Sequence, residues 1–310
     1  MSNEALNELV QSVVKDRRSQ RLWKNIRCGA WILLSLTFFF SFVGLFKEKR
    51  SSNAEEKPYV SLVRMSGVIL PETNFSAESV IPELQNAFLD KKAKGVVLVI
   101  NSPGGSPVQA SIIHDKILEL KKRYHKTVIV LGEDALASGS YLVATAADKI
   151  YVNPDTLTGS IGVIMNGFGV VDTMKKLGVT RRVFTAGNHK DRLDPFLPLQ
   201  PDDEVKIHHV LDDVHQRFIQ YVVSGRGARL QGDPKELFSG DFWTGAQAVK
   251  LGLADGTSEL WDILQQEFKV RHYRDYTTHP SFLETALKGL STELSINLIQ
   301  PKSPLRAQAY

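Results

Sequence analysis

The 310-residue chain has 43% hydrophobic and 23% charged residues, proportions that are typical of a folded globular protein. Its formal net charge is +4, and residues 1–27 hold six basic and three acidic side chains. The positive excess therefore lies almost wholly in this leader, so the basic pI of about 9.0 does not argue for nucleic acid as a partner. The single cysteine, Cys28, excludes an intrachain disulfide framework and a zinc site built on paired cysteines.

Residues 28–46 form an uncharged, phenylalanine-rich run of 19 residues. A helix of about 20 apolar residues crosses a bilayer, so we predict one transmembrane helix here, with Trp31 near one membrane interface. A buried core helix and a cleaved signal peptide are the alternatives. The signal peptide fits poorly, because the basic leader is 27 residues long and no small-residue cleavage site follows.

Basic residues flank this run on both sides, with six before it and four after it, at Lys47, Lys49, Arg50 and Lys57. Their bias favours a cytoplasmic N-terminus. In a bacterium, the chain would then sit in the inner membrane as a single-pass protein, with its main part on the periplasmic or extracytoplasmic side. Residues 1–27 are either a short cytoplasmic helix or an interfacial helix on anionic lipid.

Residues 47–58 are polar and are interpreted as a linker, followed by one domain over residues 59–270 and an extension, 271–310, of no assigned role. Strands and helices alternate in the domain with short connections, which predicts an α/β fold with a largely parallel sheet. The predicted strands are 59–65, 95–100, 127–131, 149–152 and 179–185. The predicted helices are 76–92, 107–124, 138–147, 169–177, 201–223, 244–251 and 258–268.

The first candidate motif is the NSPGGSP turn at residues 101–107, between a predicted strand and a predicted helix. Gly104 and Gly105 can adopt positive φ and leave backbone N–H groups uncovered. Such groups stabilise an oxyanion, and the following helix dipole favours negative charge. The alternative is a tight turn with no chemical role.

The second motif is LASGSY at residues 136–141, where a strand passes through small residues into a helix. This arrangement exposes one hydroxyl at a helix N-terminus, and Ser138 is the candidate nucleophile. The alternative is that Ser138 caps the helix. Ser140 is a nearby competitor, but two residues further on it would lie inside the first helical turn and point elsewhere.

Two further residues are candidates for activating a serine. Lys190, in AGNHK at 186–190, could be a general base if burial keeps it neutral, and Ser160, in TLTGSIG at 156–162, could orient it. The alternatives are a solvated lysine and an ordinary turn. His189 is the rival base, whereas the predicted helix 201–223 carries three histidines that we interpret as solvated, His208, His209 and His215.

These motifs occur together in one order: NSPGG (101–105), ASGSY (137–141) followed by AADKI (146–150), TGSIGV (159–163), AGNHK (186–190) and WTGAQAVKLGLAD (243–255). The set resembles the signal peptide peptidase A family of membrane-anchored bacterial serine–lysine peptidases, over residues 59–270. The absence of a duplicated half resembles its short, single-repeat members. Ser140 departs from the family pattern, which often has glycine there.

The resemblance implies a ClpP/crotonase-like fold, no cofactor and no metal. It implies Ser138 as nucleophile, Lys190 as general base and Ser160 as the residue that orients the lysine. Gly105 would supply an oxyanion-hole N–H, with Gly104 and Gly139 beside it in the substrate-binding region. It also implies a homo-oligomer, with sites near subunit interfaces, that cleaves extended peptides such as signal-peptide remnants.

In the mechanism that we expect, neutral Lys190 takes the Ser138 proton while amides near Gly105 and Ser138 hold the oxyanion. Lysine has a reference pKa of about 10.4, so burial must lower it for this role. The alternatives are an inactive scaffold of the same fold and, less well supported, a crotonase-type acyl-CoA enzyme.

Overall fold

A computed structural model describes residues 23–24, 26–40 and 57–278 of the chain. The chain divides into two compact units, Met1–Lys57 and Pro58–Tyr310. In the first unit, residues 23–24 and 26–40 are helical with exposed side chains. Within the described ranges, no helix has both the length and the apolar character needed to cross a membrane.

Several predictions fall on residues outside these ranges. Most of the leader (1–27) and of the linker (47–58), residues 41–46 of the predicted span 28–46, and residues 279–310 of the predicted extension are not described. The predicted membrane span therefore remains a prediction.

The second unit is built on a largely parallel sheet, as predicted. Hydrogen-bonded neighbours follow the order β6-β5-β3-β2-β1-β8, and β4 pairs with both β3 and β7. All these pairings are parallel except β5 with β6. The strands are β1 (Tyr59–Ser66), β2 (Val96–Ser102), β3 (Val128–Ala137), β4 (Lys149–Val152), β5 (Leu157–Gly159), β6 (Phe242–Thr244), β7 (Gly256–Thr257) and β8 (His272–Asp275).

Helices connect most of the strands. They are α1 (Ala77–Leu89), α2 (Pro107–Tyr124), α3 (Gly139–Ala144), α4 (Val171–Lys176), α5 (Pro201–Arg226), α6 (Pro234–Leu237), α7 (Gly245–Lys250) and α8 (Leu260–Gln266), with a 3₁₀ turn at Gly227–Arg229. Each predicted helix is present, although α3 ends three residues before the predicted 138–147.

The strand predicted at residues 179–185 is wrong. This segment is largely exposed and pairs with no described strand. Arg181 instead forms an ion pair with Asp194 and lies over the ring of Phe196. Conversely, β8 lies in the region after residue 269 that the sequence left unassigned, where it pairs with the edge of β1.

The sheet is buried on both faces, which explains the unbroken apolar run of β2. Alternate side chains of this strand enter two separate clusters. Val96, Leu98 and Ile100 pack with α1, α2 and α3, whereas Val97 and Val99 pack with the α8 residues Ile263 and Leu264. Every β2 side chain from Val96 to Ile100 lies in one core or the other. The turn that follows the strand can therefore begin only after Ile100.

A buried ion pair joins the end of α5 to the segment after α7. Arg226 donates two hydrogen bonds to the Asp255 carboxylate and a third to the Gly252 carbonyl, and its side chain is only 1% exposed. Burial opposes ionisation of Asp255, yet bonds from Arg226 and the Ile150 amide hold the pKa of this carboxyl below its ordinary value. The predicted motif at 243–255 therefore ends in a buried ion pair that stabilises the fold.

We expect Arg226→Met to lower the free energy of unfolding by about 3 kcal/mol, because Asp255 is left half-buried without its main partner. Urea denaturation of the variant and of the wild type measures this difference. The depressed pKa means that Asp255 stabilises the fold above its ordinary pKa of about 3.9. This contribution is lost as pH falls through the folded-state value, so the two proteins should converge in acid.

Lys250→Met is the matched control, since Lys250 is an exposed cation at the end of α7. It should change the free energy of unfolding by no more than about 0.5 kcal/mol. Equal losses of unfolding free energy in the two variants would contradict a stabilising role of the Arg226–Asp255 ion pair.

Candidate active site

Three turns meet at the carboxyl edge of the sheet, after β2, β3 and β5. The pairing of β3 with β5 places Ala137 opposite Gly159, and the Ser138 amide donates to the Gly159 carbonyl at 2.8 Å. Ser138 and Ser160 therefore follow paired positions of adjacent parallel strands. This register brings together two of the three hydroxyl and amine groups predicted for the site.

Ser138 adopts φ 54° and ψ −126°, a backbone conformation that favours glycine. A non-glycine residue held there costs about 1–3 kcal/mol, and such strain is concentrated at functional sites. The hydroxyl does not cap α3 and has no hydrogen-bond partner among the described residues. The interpretation of Ser138 as a helix cap is therefore wrong.

Ser140 is not a competing nucleophile. It is fully buried, and its hydroxyl hydrogen-bonds to the carbonyls of Ser102 and Ala137 at 2.7 and 2.8 Å. Its φ is not positive, so serine causes no strain where the family often has glycine. Ser140 instead ties the start of α3 to the end of β2.

The glycine turn packs directly against Ser138. A Cβ on Gly104 would lie 2.7 Å from both the Gly139 nitrogen and the Ser138 Cβ. Gly105 forms a parallel bridge with Ile69, whose carbonyl would lie 2.2 Å from a Cβ at Gly105. Only glycine lets the two turns approach this closely.

Two backbone amides are left uncovered where these turns meet. An ideal Cβ on Gly139 would lie 3.4 Å from the Gly105 nitrogen, so the two glycines are adjacent. Within the described ranges, neither amide has a protein acceptor. Of the amides expected near Gly105 and Ser138, the Ser138 amide itself is not free, because it donates to the Gly159 carbonyl. The available pair of donors is Gly105 and Gly139.

Ser138 and both of these glycines line a pocket of about 250 Å³. The other wall comes from one face of α5, where residues three, four and seven apart point the same way. Most of the lining is apolar. The side chains lining the pocket belong to Pro107, Val108, Ser111, Ser138, Leu142, Val163, Ile164, Val214, Arg217, Phe218 and Tyr221.

The contribution of α5 was missed from the sequence, which indicated only an amphipathic helix. The spacing of Val214, Phe218 and Tyr221 was the available signal, but it does not reveal which structure the face covers. His215 was interpreted as solvated, which is wrong. It is half-buried, and its Nε2 lies 3.0 Å from the Ile161 carbonyl, so it joins α5 to the turn after β5.

Lys190 is exposed and is not among the described residues that line the Ser138 pocket. The expectation that Lys190 is buried is therefore wrong for the single chain. Its neighbour Arg192 turns toward the start of α5, where it pairs with Asp202 and Asp203. His189, the rival base, is exposed beside Arg192 and likewise does not line the pocket.

Ser160 follows β5 with φ 48°, and its amide donates to the Asp241 carbonyl. Its hydroxyl has no hydrogen-bond partner within the part of the chain that the structure describes. Among these same residues, no cluster of histidine, cysteine or acidic side chains could hold a metal ion. The chemistry available at this site is that of the half-buried Ser138 hydroxyl beside two amide donors.

Comparisons with known proteins identify the family of the chain. The sequence pattern of Peptidase family S49 matches residues 120–271, and that of Clp protease matches residues 51–158. A protein of Enterococcus faecium named "Putative signal peptide peptidase SppA" is 30% identical over 239 residues, which cover 74% of this chain and 69% of that protein. The chain belongs to peptidase family S49. The predicted resemblance is thereby confirmed.

Longer proteins also match this chain. The "Serine protease SPPA, chloroplastic" of Arabidopsis thaliana is 29% identical, over 76% of this chain and 38% of its own length. A protein of Brucella melitensis named "Na(+)/H(+) antiporter NhaA" is 37% identical over 79% of this chain. This chain spans only about a third, 34%, of that protein.

We expect Gly104→Ala to slow the labelling of Ser138 by a fluorophosphonate about a hundredfold, because a Cβ there displaces Ser138 and the Gly139 amide. Gly67→Ala is the matched control. Gly67 has φ +94°, close to the +100° of Gly104, but a Cβ there meets nothing within 4 Å.

The two variants share the strain of positive φ and differ in contact with Ser138. Labelling rates measured by mass spectrometry should therefore fall only for Gly104→Ala. An equal fall in both variants would mean that backbone strain, rather than the approach to Ser138, determines reactivity.

Proposed function

We propose that this chain is a serine endopeptidase in which Ser138 attacks the peptide carbonyl. The observation that carries the proposal is the strained Ser138, open to a pocket beside the free amides of Gly105 and Gly139. An inactive scaffold would have no need to keep this strain. A crotonase-type enzyme would need the amides but not the serine hydroxyl.

Two amide donors beside the nucleophile suit the negative charge that develops in acyl transfer. Attack by the Ser138 Oγ on the carbonyl carbon gives a tetrahedral oxyanion, which the Gly105 and Gly139 N–H groups stabilise. Collapse breaks the C–N bond and leaves an acyl-serine. Water then attacks this ester, releases the acid and returns the proton to Oγ.

The base in this proposal is Lys190, supplied by a neighbouring copy of the chain. Neutral Nζ accepts the Ser138 proton and later gives it to the leaving amine, while Ser160 orients the lysine. The exposed position of Lys190 and the unpartnered Ser138 hydroxyl support delivery from outside the chain. Large apolar side chains in the chain segment before Lys190 are also exposed, at 82% for Ile164, 89% for Phe168 and 93% for Phe184. We interpret them as part of an interface between copies of the chain.

We further propose that residues 28–46 anchor the chain in the inner membrane of a bacterium, with the N-terminus cytoplasmic and the peptidase domain outside. The uncharged run and its basic flanks support this. The substrates would be signal-peptide remnants or other apolar peptides, which suit the apolar pocket lining. The antiporter name belongs to a protein that this chain matches over a third of its length, and the Ser138 geometry favours peptide hydrolysis for the shared segment.

Ser138→Ala in the full-length chain should lower the rate of hydrolysis of an apolar, internally quenched peptide by at least about a thousandfold, because the nucleophile is lost. Ser111→Ala is the matched control. Its hydroxyl also lies in the pocket but bonds the Val108 carbonyl of its own helix, so activity should persist. Activity that survives Ser138→Ala would overturn the proposed nucleophile.

Co-assembly tests the origin of the lysine. Ser138→Ala and Lys190→Ala chains should each be inactive alone, but random assembly of equal amounts should restore about a quarter of wild-type activity, since one site in four pairs Ser138 of one chain with Lys190 of its neighbour. The two chains carry different tags, and sequential purification proves co-assembly. Proven mixed oligomers without activity would contradict a lysine supplied by the neighbour.

A further inference from the structure

Arg217 is the one charged side chain among the described residues that line the Ser138 pocket. No carboxylate lines this pocket, so the guanidinium is not neutralised from within it. Arg217 is exposed and therefore lies on the solvent side of the lining, whereas Ser138 is half-buried. A peptide that leaves the pocket on this side would pass Arg217.

The acids around Arg217 do not neutralise it. Asp213 lies four residues earlier on α5, the spacing at which a helical ion pair forms, yet within the described ranges no acid pairs with Arg217. Asp115, on the neighbouring helix α2, accepts a hydrogen bond from His114 Nδ1 at 2.9 Å. The guanidinium therefore keeps its donors free for a ligand.

Tyr221 lies beside Arg217 in the pocket wall. Burial and the Asp115 carboxylate raise the pKa of the Tyr221 hydroxyl, and the nearby Arg217 acts in the opposite direction. His114 packs edge-on against Tyr221, with ring centroids 4.6 Å apart, and holds the tyrosine in place. The cation is thus held beside a fixed wall rather than on a free loop.

Building on the proposed function, we propose that Arg217 binds a carboxylate of the peptide substrate, from an acidic side chain or from the C-terminus. The planar guanidinium forms paired hydrogen bonds with a carboxylate, whereas lysine offers only a point charge. The apolar part of the pocket takes an apolar side chain, and Arg217 selects peptides with a negative charge at a fixed distance from it.

The test uses the full-length chain and pairs of quenched peptides with one apolar core. One series exchanges Glu for Gln at each position along the peptide, and the other compares a free C-terminal carboxylate with its amide. We expect wild type to favour one acidic peptide by about fivefold in kcat/KM, chiefly through KM. The preference should shrink with added salt.

Arg217→Gln should remove this preference, and Arg217→Glu should reverse it, when each variant's kcat/KM for an acidic peptide is divided by its kcat/KM for the matched uncharged peptide. Lys206→Gln is the matched control, since Lys206 is an exposed cation on the same helix outside the pocket lining. It should leave the preference intact. A preference found only in the Glu series identifies an acidic side chain, and one found only in the carboxylate series identifies the C-terminus.

Failure of this inference is distinct from failure of the proposed function. Equal cleavage of all peptides by wild type, or a preference that survives Arg217→Gln, would overturn the role of Arg217 alone. Absence of cleavage would overturn the peptidase. In that case, fluorescence anisotropy with labelled acidic and uncharged peptides, on Ser138→Ala with and without Arg217→Gln, still decides whether Arg217 binds the carboxylate.

Discussion

The geometry of the candidate active site depends on the close contact between two backbone turns. The turn after β2 meets the turn after β3 so tightly that a Cβ on Gly104 would lie 2.7 Å from the Gly139 nitrogen. This contact places the Gly105 and Gly139 amides next to each other beside Ser138. The two strands can come this close because β2 and β3 are direct parallel neighbours, with Ile100 opposite Gly132. The buried sheet therefore fixes the amides, and the amides define where a carbonyl can be attacked.

The strained backbone of Ser138 and the contacts that offset this strain lie in different parts of the fold. Ser138 is held in an unfavourable conformation, and its hydroxyl gains no hydrogen bond in return. The surrounding contacts must supply the stability: Ser140 ties α3 to the end of β2, and the Tyr141 hydroxyl donates to the Leu253 carbonyl. The Arg226–Asp255 pair fixes that same segment to α5. The WTGAQAVKLGLAD motif thus supports the nucleophile through α3 without contributing a reacting group.

The sequence predicted the strands and turns that depend on interactions between residues close together in the chain. Continuous apolar runs indicated the buried strands, and small residues between strand and helix indicated the turns at Gly104–Gly105 and Ser138. It failed where a distant partner decides the outcome. Segment 179–185 has no partner strand among the described residues. β8 has a short and polar sequence, and the pocket face of α5 is an ordinary amphipathic pattern until its neighbour is known. No local pattern reveals whether Lys190 is buried.

The separation of Ser138 from Lys190 has a consequence for control of the reaction. A serine hydroxyl without a base stays protonated and is a weak nucleophile at neutral pH. Within one copy, the described residues give Ser138 two oxyanion donors and a pocket but no acceptor for its proton. On the proposed arrangement, an isolated copy binds peptide without cleaving it, and hydrolysis begins only when assembly buries the exposed segment around Phe184 and brings a lysine to the serine. Burial of that lysine against the apolar surface would also favour its neutral form, so the same contact supplies the base and makes it basic.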